Sequence, residues 1–259
     1  MNKQAQGVVL LLLGGAVVRA SVTDMYLRYV KEALQPFLIV AGLLLIAAAV
    51  MTLWHDLRRR STPAPAVGVH AGHGHATDDG HGDAADDGHG HAHHEPRVGW
   101  LLILPVLGLL LVAPPALGSY AVAQAGTALS SEQASSDYPP LPDGDPAEIS
   151  VLDYASRAIF DEGRSLDGRN VRLTGFVTDG PDGEPMLARI VLSCCAADGR
   201  PIKVGMDGSV PTGLPADTWI EVVGRYSDRI GTDPVNGASI PYLAVESWQQ
   251  IDAPRQQYE

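Results

Sequence analysis

Apolar positions are unevenly distributed along the 259 residues. Nearly all the long uninterrupted runs lie before residue 125, and beyond it short apolar stretches alternate with Gly, Pro and Asp. The run Phe37 to Trp54 is apolar throughout and, as a helix, covers about 27 Å, close to the hydrocarbon thickness of a bilayer. A second run of spanning length, Val98 to Leu117, carries Pro105, Pro114 and Pro115, which predict a kink and an early helix end. The first run is less regular: Gly7 to Val18 is apolar, Arg19 and Asp24 interrupt it, and Met25 to Val30 resumes it. It reads as a span ending in the interface, with Tyr26 and Tyr29 as belt aromatics and Arg28 and Lys31 snorkelling. A secretory signal is the competing reading; Arg19 stands where a small-residue cleavage site would be.

The expected fold class is therefore a membrane α-helical amino-terminal half of three spans, two within residues 1–56 and the third within 98–123. The triplet Arg58-Arg59-Arg60 directly follows the second run. Basic residues beside a span stay on the cytoplasmic side, so the amino terminus and the 57–97 loop are expected on the cytoplasmic side of the cell membrane. The carboxy-terminal half is then outside. Arg28 and Lys31 partly offset that signal. Three helices are too few to enclose an alternating-access pathway, so any transport role requires a partner.

A Ser-, Pro- and Asp-rich linker at 124–146 leads to a domain at 147–253 with a different period. Ser150 with Asp153 resembles a helix start, and Leu152, Ala155 and Ile159 share one face of the short helix that follows. Five strands are predicted, over 170–178, 186–193, 201–206, 218–226 and 241–248, joined by Gly/Pro/Asp turns. Five short strands suit a small all-β, OB-like barrel, with a two-sheet sandwich as the alternative. Its core is expected from Val171, Leu173, Ile190, Leu192, Val204, Ile220, Val222 and Leu243; Arg189, Arg225 and Asp228 are expected on its solvated surface. Residues 254–259 form a tail. The net charge of −12 argues against nucleic acid, which requires a basic stripe.

Between Ser61 and Arg97 the chain is of low complexity. His70, His73, His75, His81, His89, His91, His93 and His94 are eight of the nine histidines, interspersed with Asp, Gly and Glu95. Imidazole is a common ligand for zinc, copper and nickel, and such tracts read as metal-binding by composition. The glycines leave the geometry unspecified, so several weak, exchanging sites are expected. A drifted, solvated linker and a pH sensor are the other readings.

The two cysteines, Cys194 and Cys195, are adjacent. If the strand runs through both, their side chains point to opposite faces and cannot share an ion; a bulge at the strand end would bring them to one side. Three readings stand: small buried hydrophobes, a metal site with Asp198 or a partner's ligands, and a redox pair. No Cys-x-x-Cys motif supports an oxidoreductase.

Several segments resemble a family: Tyr29 to Lys31 and Gln35 to Leu38, Leu117 to Tyr120, Arg189 to Asp198, Trp219 to Gly224, and Pro254 to Glu259. Together with the order of spans, His-rich loop and β domain, they are similar to the YcgQ-like bacterial membrane proteins of unknown function. That resemblance implies a non-enzymatic, multi-pass accessory subunit of a multi-span permease, with a divalent metal, zinc foremost, as the substrate class. It also implies that Cys194, Cys195 and Asp198 form a functional site. The alternative is a cell-envelope interaction module whose His tract is incidental.

Overall fold

The computed structural model describes residues 3–60, 104, 107, 108, 112, 115–129, 137–166 and 168–259. The chain forms two compact units, residues 1–18 with 40–113 and residues 19–39 with 114–259. The histidine tract and most of the third apolar run lie outside the described residues.

Two helices, α1 (Lys3–Val22) and α2 (Gln35–Arg60), are long and apolar enough to cross a membrane. Within the first unit they approach through small residues. A Cβ on Gly14 would lie 2.9 Å from the Gly42 carbonyl oxygen, and one on Gly42 would lie 2.7 Å from Val18 Cγ2. Ala5 and Ala49 are buried. Close backbone approach through small residues is how apolar helices pair where no hydrophobic force separates protein from lipid.

The segment joining the helices departs from expectation. Helix α1 stops at Val22, and Asp24–Arg28 makes a 3₁₀ turn. Tyr26 is buried in protein, 2 % exposed, and Leu27 is 5 % exposed. Tyr26 is therefore not a belt aromatic: the chain turns away from helical geometry before reaching it and belongs with the second unit.

The second unit holds the barrel. A two-residue strand β1 (Ala147–Glu148) and helix α4 (Val151–Phe160), which follows the short α3 (Ser119–Gln124), precede five strands. These are β2 (Val171–Asp179), β3 (Pro185–Val191), β4 (Arg200–Gly208), β5 (Trp219–Thr232) and β6 (Ser239–Gln250). Their order is β2-β3-β4-β6-β5, and β5 returns to pair with β2, closing the barrel. Only the β4–β6 pairing is parallel among the five. The predicted strands are present. The last two run longer than predicted because β5 and β6 continue as a hairpin beyond Tyr226, through an irregularity at Ser227–Ile230.

The helix begins as its sequence dictates: the Ser150 hydroxyl accepts a hydrogen bond from the Asp153 amide at 2.9 Å. Asp153 turns its carboxylate to Arg157, 3.0 Å away. The helix's apolar face, Val151, Tyr154, Ala155 and Ala158, joins the main core with Val171, Leu173, Val204, Ile220, Val222 and Leu243. Ile190 and Leu192 are equally buried but lie in a second cluster with Val122, Phe176 and Ala188. The reason is strand parity: Leu187 faces the main core, so Ala188 and Ile190 face away from it and are covered from outside by Leu117 and Tyr258.

Strands β2 and β3 pair only at one end, Phe176 to Asp179 with Pro185 to Ala188. In the split beyond, β1 lines β2, and Tyr258 and Glu259 line β3. The Leu192 amide donates to the Glu259 carbonyl at 2.9 Å, and the Glu259 amide donates to the Ile190 carbonyl at 3.0 Å. Tyr258 and Glu259 are thus packed into the barrel wall. Replacing Leu173 by Ala should destabilise this unit by about 2–5 kcal/mol, whereas Glu246→Ala, in an exposed pair with Arg225, should cost under about 1 kcal/mol. Denaturant unfolding followed by tryptophan fluorescence measures both.

Candidate metal centre

Strand β3 ends where its pairing with β4 ends, at Val191 opposite Arg200, so the cysteines do not continue the strand. Leu192 is 1 % exposed, and the chain then turns around one carboxylate. Asp198 Oδ1 accepts from the Ser193 amide at 2.8 Å; Oδ2 accepts from the Cys194 amide at 2.8 Å and the Cys195 amide at 3.2 Å. A 3₁₀ turn, Ala196–Asp198, closes the loop, with the Cys195 side chain accepting from the Asp198 amide.

This wrap brings both thiols to one side. The sulfurs stand 3.6 Å apart, and one ligand atom from each of Cys194, Cys195 and Asp198 lies within 4.8 Å of the others. Both cysteines are free, Cys194 exposed and Cys195 partly so, which removes the reading of them as small buried hydrophobes. Two thiolates on a tetrahedral zinc, each about 2.3 Å from the ion, stand about 3.8 Å apart, close to the separation found here. The Cys194 thiol, 3.6 Å from Cys195 Sγ, is pushed up to about 11 by the adjacent Asp198 carboxylate first and by the neighbouring thiol second. The thiol and the three amides together hold the Asp198 carboxyl well below the usual carboxylate range. The loop therefore stores Cys194 as a protonated, weakly nucleophilic thiol.

The backbone of the thiol loop is pinned to the segment between α1 and α2. Val30 pairs antiparallel with Cys195, the Lys31 amide donates to the Cys194 carbonyl at 3.1 Å, and the Ala196 amide donates to the Tyr29 carbonyl at 2.7 Å. The tail reinforces the clasp. The Tyr258 hydroxyl donates to the Arg28 carbonyl at 2.9 Å, Arg255 pairs with Asp24 at 2.8 Å, and Gln256 bonds Glu32. A cleft of about 140 Å³ opens between this segment and the tail, lined by Val30, Lys31, Leu192 and Tyr258 among others.

Arg189, expected on the solvated surface, is 8 % exposed. Its guanidinium lies 4.8 Å from the centre of the Trp219 ring, donates to the Gln256 carbonyl at 2.8 Å and stands 3.8 Å from Glu259. The Glu259 carboxylate accepts from the Val151 and Leu152 amides, at 2.9 and 3.1 Å, at the start of α4. Burial pushes this carboxyl up, against the two amides and Arg189. The tail is what buries Arg189, and the strand pattern gives no notice of it.

Of the sequence-derived candidates, Cys194, Cys195 and Asp198 come together. His70, His73, His75, His81, His89, His91, His93 and His94 lie outside the described residues. The part played by Tyr29 to Lys31 was not read from the sequence; the short Tyr-Val-Lys stretch carries no signal of pairing with a loop far along the chain.

What these features define is a closed five-stranded β-barrel domain bearing a thiol–carboxylate loop, carried on a chain with two helices apolar enough to cross a membrane. Residues 154–259 match the DUF1980 C-terminal domain, an uncharacterised family. That match covers the barrel strands, the thiol loop and the tail. No curated protein and no solved structure matches the chain.

Asp198→Asn removes the charge that keeps the Cys194 proton in place. The thiol then falls back toward the ordinary cysteine range, and alkylation at pH 8 should accelerate by at least about tenfold. Iodoacetamide rates followed by mass spectrometry across pH 7–10 check this.

Proposed function

We propose that this chain is a membrane-anchored accessory protein that handles a soft divalent cation, zinc foremost, for a multi-span permease. One observation carries the reading: two free thiols 3.6 Å apart beside a carboxylate, on an exposed loop. Thiolates select zinc and similar ions over magnesium or calcium. Three donors leave a fourth position open, which suits an ion that is passed on rather than kept as structure. The reading assigns no catalytic step.

Chain connectivity supports a three-span arrangement. The segment between α1 and α2 is hydrogen-bonded to the barrel, so the two share one side of a membrane. With α1 and α2 both crossing, Arg58 to Arg60 emerge on the other side, and the chain must return before Pro115. The apolar run that begins at Val98 is proposed to supply that crossing. The arginine triplet then places the histidine tract in the cytoplasm, where it would concentrate the ion, and the barrel outside. The barrel's strand order and its single parallel pairing favour an OB-like assignment, and its use here is to hold the thiol loop in place.

A second reading, an envelope interaction module, is favoured by Asp198 itself. Both its oxygens already accept from loop amides, as they would in a purely structural turn. Zinc titration of the detergent-solubilised full chain separates the two. The wild type should show several weak sites, lost on deleting residues 68–95, and one tighter site, lost in Cys194→Ser with Cys195→Ser. The tighter site must displace the Cys194 proton, held to about pH 11. Its apparent affinity should therefore rise about tenfold per pH unit between pH 6 and 8 for that proton alone. Identical zinc binding by all three forms would leave the interaction module standing.

A further inference from the structure

A second cleft, of about 400 Å³, lies elsewhere on the barrel unit, lined by Arg28, Leu117, Tyr120, Phe176, Asp217 and Trp219 among others. Its position is set by chain connectivity. Arg28 belongs to the segment that joins α1 to α2, and Leu117 closes the third apolar run. One hydroxyl ties these two segments together: Tyr258 Oη accepts from the Leu117 amide at 2.8 Å and donates to the Arg28 carbonyl at 2.9 Å. With α1, α2 and the apolar run from Val98 crossing a membrane as proposed, the segments that lead into and out of those crossings, through Arg28 and Leu117, both line the cleft.

The lining suits a ligand found at that depth. The Arg28 side chain is exposed, and a guanidinium fork matches phosphate oxygens. Partly buried Trp219 packs edge to face on buried Phe176, ring centres 5.5 Å apart, and gives the cleft an apolar wall. Tyr120 is 81 % exposed, and aromatic residues of this kind gather at the membrane–water interface. The Asp217 carboxylate accepts from the Ser119 amide at 2.5 Å and its hydroxyl at 2.9 Å, placing a negative charge in the same cleft. One positive and one negative group, on a chain of net charge −12, favour a zwitterionic ligand over an anionic one.

We infer that this cleft binds the headgroup of a zwitterionic phospholipid, its phosphodiester on Arg28 and its amine toward Asp217. The inference rests on the membrane-spanning part of the proposed function and is independent of the metal reading. Bound lipid would fix the barrel's height over the bilayer, and with it the height of the thiol loop.

The test is native mass spectrometry of the full chain in neutral detergent, titrated with phosphatidylethanolamine, diacylglycerol or free phosphoethanolamine. The wild type should keep one phosphatidylethanolamine and no diacylglycerol. Arg28→Gln should weaken retention by about tenfold or more, Arg28→Lys by less, and Tyr120→Ser should weaken it with unchanged thermal unfolding. Equal retention of diacylglycerol, or wild-type retention by Arg28→Gln, overturns the assignment. Free phosphoethanolamine binding as tightly as the lipid overturns it in favour of a soluble ligand. Carbonate extraction of the same membranes reports separately on the premise: a chain released by carbonate is not embedded.

Discussion

The pairing of Val30 with Cys195 is the contact on which the rest of the structure turns. It joins two stretches that neither helix nor barrel fixes alone: the link between two apolar helices and the loop that ends β3. Backbone hydrogen bonds on both sides of the thiols, to Lys31 and Tyr29, leave that loop few ways to move without moving the link. A thiol pair on an ordinary barrel loop would be placed by the barrel only. Here it is also placed by the segment leading into both helices, a double attachment that the proposed role in metal handling would use.

Within the loop, one carboxylate sets both shape and chemistry. Asp198 gathers three successive amides and the Cys194 thiol. The same negative charge that folds the turn favours the protonated thiol, so the loop resists thiolate chemistry. A divalent cation held by Cys194, Cys195 and Asp198 would offset that charge and favour the thiolate. In the proposed role, the loop gives up a proton when loaded and regains it when the ion leaves. The tail works in the same economical way: the Glu259 side chain supplies the first amides of α4 with an acceptor while its backbone fills the split between β2 and β3.

Much of the barrel was legible because its signals are local and periodic. Strand alternation from Val171 to Leu173 and from Ile220 to Val222, Gly/Asp turns between strands, and Ser150 before an apolar helical face each depend on residues within a few positions. What escaped was long-range and irregular. Arg189 reads as surface because its cover comes from Gln256 and Glu259. Ile190 and Leu192 read as barrel core because alternation shows that a face is buried, not which cluster buries it. Tyr26 reads as interfacial because its neighbours are apolar, yet it is buried in protein. The cysteines could be placed together only once Asp198 was seen to bend the chain, since an extended strand would have separated them.

The central claim is that the thiol loop and the link between the helices form one structure, and amide hydrogen exchange on the full chain in lipid nanodiscs tests it most directly. The account predicts that the Lys31 and Ala196 amides exchange slowly and together, and that Lys31→Pro, which removes the donor to the Cys194 carbonyl, speeds exchange at Ala196. Exchange at Lys31 and Ala196 as fast as in an unstructured loop, unaffected by Lys31→Pro, would contradict it.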